Sequence, residues 1–230
     1  MDRPRAAISW SGGKDGCTAL QRGKCDFDVV AMVTMLNDDG TRSRSHGLRP
    51  DVIAAQAERF GLAWLTGNCT WDSYTTEFCR VLGRLSTYGV THVIFGDIMF
   101  APHRAWDERV CAIERMTPVL PIWGEPTDRL FHEFLEAGGD ACFVTVRADS
   151  LDESWLGRRL TTDILPELQR RGVDPCGEHG EYHTLVTHSP LFSSPLPIAA
   201  HGHVFRNGCW ALDVSVTNLL GNEKEPYALG

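Results

Sequence analysis

The first two thirds of the chain alternate between short apolar stretches and longer amphipathic ones. Short apolar stretches bounded by turn residues predict buried strands, and apolar residues at i, i+3, i+4 and i+7 predict helices that pack on a sheet. The predicted strands cover residues 8–10, 28–35, 62–65 and 90–95. The predicted helices cover residues 15–22, 48–60, 78–85 and 104–116. This alternation predicts an α/β fold with a doubly wound parallel sheet.

The pattern changes after residue 124. A predicted helix at 128–137, a strand at 142–147 and polar helices within 153–171 precede a turn region rich in glycine and proline. Alternating segments at 198–205 and 210–216 then predict antiparallel strands. We therefore expect a first domain over residues 1–124 and a smaller α+β subdomain over residues 125–230, packed over the carboxyl ends of the parallel strands.

The turn after the first strand has the residues of an anion-binding loop. Ser11, Gly12, Gly13 and Lys14 follow the strand directly, and a helix is predicted to begin at Asp15. Two glycines let successive backbone N–H groups point at one anion, and the helix N-terminus adds positive potential. The spacing excludes the Walker loop and the dinucleotide fingerprint. A plain Gly-Gly turn between a strand and a helix is the alternative.

The segment Ser-Gly-Gly-Lys-Asp resembles the PP-loop of the ATP pyrophosphatase superfamily, whose members cleave ATP between its α and β phosphates. Gly16 stands where that motif has a serine, so a hydroxyl that would contact phosphate is missing. Gly96 and Asp97 end another predicted strand. Because ligands of such sheets bind beyond the carboxyl ends of the strands, we expect both motifs to share one site.

A second group of polar residues follows residue 176, in a segment that we predict to be a loop. It contains two carboxylates, two histidines and a threonine: Glu178, His179, Glu181, His183 and Thr184. Carboxylates in such a cluster can bind a metal, hold an ammonium ion or remove a proton from an amine. A tight turn with solvated charges is the alternative.

Several motifs occur in an order that resembles one family over nearly the whole chain. They are Ser-Gly-Gly-Lys-Asp at 11–15, Phe-Gly-Asp-Ile at 95–98, Pro-Ile-Trp at 121–123, Ser-Trp-Leu-Gly-Arg at 154–158, Cys-Gly-Glu-His-Gly-Glu-Tyr-His-Thr at 176–184 and Pro-Leu-Phe at 190–192. The chain is similar in these segments to the diphthine–ammonia ligase family. The block at 176–184 is the longest and the most specific of them.

This resemblance implies an adenine nucleotide α-hydrolase-like, Rossmann-like fold and an AMP-forming ligase. ATP would adenylate a carboxylate on a modified histidine of elongation factor 2, or on a related acceptor. Ammonia would then displace AMP to form the amide. The implied cofactors and partners are therefore ATP, Mg²⁺, ammonia and a carboxylate-bearing acceptor protein.

The resemblance also implies roles for individual residues. The implied nucleotide-binding residues are Ser11, Gly12, Gly13, Lys14, Asp15, Gly96, Asp97 and Thr184. The implied catalytic residues are Lys14, Glu178, Glu181 and His183, and the implied magnesium ligands are Asp15 and Asp97. Backbone at 31–33 would face the adenine. His46 and Arg49 are further candidates for the nucleotide site, with a structural or surface role as the alternative.

Composition and charge narrow the remaining choices of function and cellular location. The 230 residues carry a formal net charge of −8, which argues against general nucleic-acid binding. The start of the chain lacks a secretory signal and the longest apolar run is too short to span a membrane, so we expect a cytoplasmic protein. The cysteines form no C-x-x-C pair, and we expect most to be reduced and buried.

Two other functions compete with the ligase. One is ATP-dependent thiolation of a nucleobase, against which the acidic charge and the lack of paired cysteines argue. The other is a nucleotide-binding protein without catalysis, which Gly16 favours but which leaves the polar block at 177–184 without a purpose. The oligomeric state stays open, with a homodimer among the alternatives.

Overall fold

Two β-sheets of different kinds organise the chain in its computed structural model, which describes residues 3–217. The first sheet has five strands, and every pairing in it is parallel. They are β1 (Arg5–Ser9), β2 (Asp28–Leu36), β3 (Ala63–Asn68), β4 (His92–Ile94) and β5 (Thr117–Val119). Their spatial order is β3-β2-β1-β4-β5, so the direction of winding reverses between β1 and β4. The predicted doubly wound parallel sheet is confirmed.

Helices cover both faces of this sheet. They are α1 (Lys14–Gly23), α2 (Pro50–Phe60), α3 (Tyr74–Ser86) and α4 (Ala101–Ile113). Ile8 and Ile94 join the hydrophobic core under α1 and α2, whereas the neighbouring Ala7 and Val93 join the core under α3 and α4. This alternation follows from the two-residue period of a strand. Both faces are therefore apolar, which explains the continuous apolar strands in the sequence.

The second sheet is antiparallel and lies in the C-terminal part of the chain. The helices and strands of this part of the chain are α5 (Thr127–Glu136), β6 (Asp140–Arg147), α6 (Leu165–Arg170), β7 (Tyr182–His188), β8 (Ile198–Arg206) and β9 (Cys209–Val216). The strand order is β7-β6-β9-β8. The predicted antiparallel strands at 198–205 and 210–216 are confirmed as β8 and β9, and Asn207 and Gly208 form the turn between them with φ of 50° and 78°.

Two predicted elements were wrong, and the bounds of a third differ from the prediction. The loop predicted after residue 176 continues into strand β7, because its alternate residues pack against β6 and the main core. The polar helices predicted within 153–171 reduce to two single 3₁₀ turns and the short helix α6. Helix α4 begins three residues before the prediction, with a proline in its first turn. The three-residue strand β5 escaped prediction because it is short and contains Pro118.

Strand β7 joins the two sheets. Its Val186 N–H donates to the Gly12 carbonyl at 2.9 Å. The larger hydrophobic core includes residues from Ala6 to Val214, so it extends across both predicted units. The boundary at residue 124 stays a prediction, and residues 218–230 of the predicted second unit lie outside the described residues. Among the helices of residues 3–217, none is long and apolar enough to cross a membrane.

Gln56 of α2 is the polar centre of this junction. It is completely buried, and its Oε1 accepts a hydrogen bond from Trp10 Nε1 at 2.8 Å. Its Nε2 donates to the Gly12 carbonyl at 3.1 Å and to the Val186 carbonyl at 2.8 Å. One amide thus holds the loop after β1, helix α2 and strand β7 in a fixed arrangement.

We expect Gln56→Leu to lower the free energy of unfolding by about 3 kcal/mol, because it leaves buried donors and acceptors without partners. Urea denaturation measures this loss. Gln169→Leu is the matched control at an exposed position of α6, and we expect it to change stability by less than about 0.5 kcal/mol. Equal stability of the two variants would contradict a structural role for Gln56.

Candidate active site

A cavity of about 680 Å³ opens at the carboxyl ends of β1 and β4. Its walls include the loops after β1, β2 and β4 and the segment that leads into β7. Ligands of doubly wound sheets bind at this switch point, where the strand order reverses. The predicted site residues in the wall are Ser11, Gly13, Lys14, Asp15, Gly96, Asp97, Glu178, His183 and Thr184. The structure therefore brings both sequence motifs to one cavity.

Gly13 and Gly96 let backbone segments approach closely around the start of α1. A Cβ atom on Gly13 would lie 2.7 Å from His46 Cε1 and 3.3 Å from Thr184 Oγ1. A Cβ atom on Gly96 would lie 2.7 Å from the backbone nitrogen of Gly16. Contacts of this length require displacement of the neighbour, so both positions need glycine.

Strand β7 supplies the hydrogen bond that α1 lacks at its own N-terminus. Gly13 is the residue before the helix and has no side chain to accept from the first N–H groups. Instead, Thr184 Oγ1 accepts a hydrogen bond from Lys14 N at 3.1 Å. The helix N-terminus thus faces the cavity while β7 holds one edge of it.

Gly12 has a different position from the rest of the loop. It adopts φ of +103°, and a Cβ atom there would lie 2.5 Å from Leu48 Cδ1. Its carbonyl is bound by Val186 and Gln56, and Gly12 is not part of the cavity wall. Gly12 therefore shapes the loop and attaches it to the core.

Lys14 is almost fully buried, with 1% of its surface exposed. Its ammonium donates to both carboxylate oxygens of Asp15, at 2.8 and 2.9 Å, and to the Cys176 carbonyl at 3.0 Å. Burial lowers the pKa of Lys14, but attraction by Asp15 and its other partners outweighs this and raises the pKa well above the ordinary value. Lys14 is therefore charged, and it must exchange one of these partners to contact a phosphate.

Three carboxyl groups, those of Asp15, Asp97 and Glu178, line the cavity. Burial raises the pKa of Glu178 to about 7, and the charges of Asp15 and Asp97 contribute. Asp97 Oδ1 contacts His103 Nδ1 at 3.0 Å. A carboxyl with a pKa near 7 exchanges protons readily at neutral pH, which suits acid–base chemistry.

Asp107 of α4 is a cavity residue that the sequence analysis missed. Only 2% of its surface is exposed, and its Oδ2 has no hydrogen-bond partner. Burial and the nearby Asp97 raise the pKa of Asp107 to about 9. An aspartate three and four residues before the buried Val110 and Cys111 was the available signal, because this spacing places it on the buried face of the helix.

Two neutral histidines lie beside the loop. The rings of His46 and His183 stack with centroids 4.4 Å apart, and His46 Nδ1 donates to the Thr184 carbonyl at 3.1 Å. Burial and the Lys14 charge lower the pKa of His183 to about 4. Burial and His183 lower the pKa of His46 well below its ordinary value. The predicted position of His46 at the cavity agrees with the structure.

Other candidates lie away from the cavity. Glu181 is buried, and its carboxylate accepts hydrogen bonds from the backbone N–H groups of Asp174 and His179, at 3.2 and 3.0 Å. It therefore holds the turn before β7 together. Arg49 pairs with Asp213 on the surface. Within the predicted backbone segment 31–33, only Val33 reaches the cavity wall.

Aromatic residues form the end of the cavity near α3 and α4, which the sequence analysis did not predict. They are Trp71, Tyr74, Phe78, Phe95 and Trp106. The rings of Tyr74 and Trp106 have centroids 5.5 Å apart, and the Arg44 guanidinium lies 4.3 Å from the Trp71 centroid. We call this group the aromatic end of the cavity.

The cysteines are free, and six of the eight are buried, as predicted. Cys176 lines the cavity, but its Sγ donates to the Thr127 carbonyl at 3.2 Å. Burial raises the pKa of Cys176 far above the ordinary value, so it carries a thiol and not a nucleophilic thiolate. This weakens the thiolation alternative.

The strand order β3-β2-β1-β4-β5, with a glycine-rich loop at its switch point, defines a doubly wound α/β protein whose ligand site lies at the carboxyl ends of the strands. Family models then identify the particular group. The model of the diphthamide synthase N-terminal domain matches residues 4–117, and the model of the diphthamide synthase C-terminal domain matches residues 126–216. The chain belongs to the diphthine–ammonia ligase family.

Similar proteins that carry the name diphthine–ammonia ligase support this family assignment. The chain is 31% identical to diphthine–ammonia ligase of Rattus norvegicus, over 84% of this chain and 82% of that protein. It is 28% identical to the Schizosaccharomyces pombe protein over 79% of this chain, but spans only 34% of that longer protein. A solved structure titled predicted subunit of tRNA methyltransferase, from Methanocaldococcus jannaschii, aligns with 81% of this chain and 98% of its own, at 14% identity and a TM-score of 0.43. That likeness is too loose to support an argument.

We expect Gly13→Ala to destabilise the protein by about 1–3 kcal/mol, because its Cβ would displace His46. Gly16→Ala is the matched control in the first turn of α1, since its Cβ would lie 3.4 Å from the nearest atom, in Trp10. Replacing this helical glycine should stabilise the protein by up to about 1 kcal/mol. Urea denaturation of both variants tests the opposite signs, and an equal effect would contradict the close approach at Gly13.

Proposed function

We propose that the chain catalyses the ATP-dependent amidation of a protein-bound carboxylate, that of diphthine in elongation factor 2, with ammonia as the nitrogen donor. The products are the amide, AMP and pyrophosphate. A carboxylate does not react with ammonia until one oxygen becomes part of a good leaving group. Transfer of AMP to the carboxylate supplies that leaving group, and the cavity keeps water from the intermediate.

One observation carries this proposal. The glycine loop after β1 and the block 178–184 form one cavity at the switch point of the sheet, in a chain whose two halves match the two diphthamide synthase domains. The first motif supplies a helix N-terminus and backbone N–H groups, which suit phosphates. The second supplies Glu178 and His183, which suit an acceptor and an amine.

We assign nucleotide binding to the loop that follows β1. Ser11, Gly13 and the N-terminus of α1 hold the phosphates that leave as pyrophosphate. Lys14 supplies a permanent positive charge beside them. Because Asp15 and the Cys176 carbonyl bind Lys14 in this structure, the phosphates compete with the segment before β7 for the same ammonium. Nucleotide binding and the position of that segment are thereby linked.

Magnesium is the ion that the family resemblance implies for Asp15 and Asp97. Both line the cavity and offer carboxylate oxygens, the ligands that Mg²⁺ prefers. Within residues 3–217, no group of three or more acidic, histidine or cysteine side chains is arranged to hold a metal. One or two carboxylates with nucleotide phosphates suffice for Mg²⁺, so the residues fit such a shared site. The ion would neutralise phosphate charge there.

Glu178 is the proposed base on the acceptor side. With a pKa of about 7, it can remove a proton from ammonium or from the attacking amine at neutral pH. His46 and His183 are neutral and add no competing positive charge. We predicted from the sequence that Glu181 is catalytic. Because its carboxylate holds the turn before β7 together, we assign it a structural role at this site instead.

The reaction is tested by incubating the purified protein with ATP, Mg²⁺ and ammonium, with and without diphthine-bearing elongation factor 2. We expect AMP and pyrophosphate in equal amounts, together with the amide, only when the factor is present. Lys14→Met should abolish AMP formation in this assay. AMP formation without the factor, or its absence in both reactions, would contradict the proposed acceptor.

Paired glutamate variants test the base. We expect Glu178→Gln to lower the rate of amide formation by about 100-fold or more, while ATP binding persists. The wild-type rate should rise with pH through about 7, since the base must lose its proton, and Glu178→Gln should lose this rise. Glu181→Gln is the matched control in the same turn. We expect it to lower the thermal stability of the protein more than its rate of amide formation. A larger catalytic defect in a stably folded Glu181→Gln would reverse the assignment.

A further inference from the structure

We propose that Arg44 binds the α-phosphate of the nucleotide and stabilises its charge while AMP is transferred to the carboxylate. This inference rests on the proposed function, because it assigns a further catalytic residue to the same reaction. Arg44 lies outside the motifs that indicated the site in the sequence, in the segment that follows β2. Its side chain contributes to the cavity wall.

The first argument is that the guanidinium of Arg44 has free donors. Its Nε is buried and has no hydrogen-bond partner. The ion pairs among residues 3–217 do not include Arg44. A guanidinium presents several N–H donors in a fixed fork, and buried polar atoms are nearly always paired. A ligand with several acceptor oxygens in the cavity would supply the missing partner.

The second argument is the distribution of positive charge in the cavity. In the part of the chain that the structure describes, the lysine and arginine side chains of the wall are Lys14 and Arg44. The ammonium of Lys14 already contacts both carboxylate oxygens of Asp15, at 2.8 and 2.9 Å. The charge of Arg44 is therefore the more available of the two. A guanidinium fork also matches the oxygens of a phosphate, which it binds through two parallel hydrogen bonds.

The third argument is that contacts within the protein fix the position of Arg44. Its backbone N–H donates to the Met35 carbonyl at 2.9 Å, at the end of β2. Its guanidinium lies over the Trp71 ring, 4.3 Å from the ring centroid. Stacking on a ring orients the guanidinium plane without using its N–H donors. Such preorganised donors stabilise charge well, because they need little rearrangement during the reaction.

The neighbours of Arg44 favour the α-phosphate over the phosphates that leave. We assigned the leaving phosphates to the loop after β1, and His46, two residues after Arg44, lies against Gly13 of that loop. Val33 of β2 reaches the cavity wall from the segment that we expect to face the adenine. Because the α-phosphate joins pyrophosphate to adenosine, its place is between the loop and the end of β2, where Arg44 lies.

Arg44 would act in the nucleotidyl-transfer step. A carboxylate oxygen of the acceptor bonds to the α-phosphorus, and the bond from this phosphorus to the bridging oxygen of the β-phosphate breaks. Pyrophosphate leaves with the bonding electron pair. The non-bridging oxygens of the α-phosphate carry negative charge throughout, and the N–H groups of Arg44 would donate to them. Loss of such a donor lowers kcat by about 100-fold or more in enzymes that stabilise an oxyanion.

Nucleotide binding without the acceptor is the direct test. We would titrate AMP and adenosine into the purified chain by calorimetry, since the two ligands differ only in the phosphate group. We expect the wild type to bind AMP more tightly than adenosine. Arg44→Leu should weaken AMP binding by about tenfold or more, because a charge-assisted contact is lost, and should leave adenosine binding unchanged. Arg44→Lys keeps the charge without the fork and should lie between the two.

Two further variants control for indirect effects. Arg171→Leu is the matched control, because Arg171 is an exposed arginine over the ring of Trp155, at 5.5 Å, outside the cavity. We expect it to bind AMP like the wild type. Trp71→Leu removes the ring that orients Arg44, and it should weaken AMP binding less than Arg44→Leu does, again without an effect on adenosine. Thermal unfolding shows whether each variant is folded, and Arg44→Lys decides the question if Arg44→Leu does not fold.

The reaction assay gives a second measure of the same role. We expect Arg44→Leu to lower kcat for AMP formation by about 100-fold, with little change in the KM of the acceptor. A change confined to that KM would make Arg44 a residue that binds the acceptor carboxylate, and would overturn the assignment to the α-phosphate.

Four binding results would also overturn the inference: AMP binding no tighter than adenosine binding in the wild type, unchanged AMP affinity in Arg44→Leu, equal losses for AMP and adenosine, or a loss confined to pyrophosphate. These results are separate from a failure of the proposed function. Amide formation by the wild type with unchanged AMP affinity in Arg44→Leu would leave the ligase and remove the role of Arg44. A selective loss of AMP binding, without amide formation by the wild type, would do the reverse.

Discussion

The candidate site depends on the contact between strand β7 and the loop that follows β1. Val186 binds the Gly12 carbonyl, Thr184 binds the first N–H of α1, and Gln56 binds both segments. Each of these bonds is buried, where an unpaired partner would cost about 1–3 kcal/mol. The loop therefore keeps its shape only while the C-terminal sheet is in place. This constraint explains why the larger hydrophobic core extends through both parts of the chain.

Burial also determines the charge states around the cavity. Lys14 stays protonated because Asp15 and the Cys176 carbonyl surround its ammonium. His46 and His183 lose their protons in the same environment, because burial and the Lys14 charge disfavour a further positive charge. Glu178 and Asp107 retain protons more strongly than exposed carboxyls, because burial and acidic neighbours disfavour additional negative charge. One cavity thus holds a fixed cation, neutral imidazoles and carboxyls that respond to ligands.

Local signals were sufficient for much of the site. Ser11, Gly13, Asp97 and Glu178 lie in motifs that could be recognised by their residue types, and all four reach the cavity. Glu181 belongs to the same block, but its carboxylate turns towards the backbone of Asp174 and His179. Residue type and spacing do not show this direction, because a glutamate can serve either as a ligand or as the centre of a turn. The catalytic assignments themselves stay predictions.

The sequence by itself determined the doubly wound sheet, the two edge motifs and the family, because strand and helix periodicities and short motifs are local properties of the chain. Only the tertiary structure decided that β7 is a strand over the loop, that Gln56 joins both sheets, and that Asp107 and the aromatic residues line the cavity. These features depend on contacts between residues far apart along the chain, such as Lys14 and Thr184, which are 170 positions apart. Residue types and local spacing do not show which distant residues will meet, because each of these residues is of an ordinary type for its helix or strand.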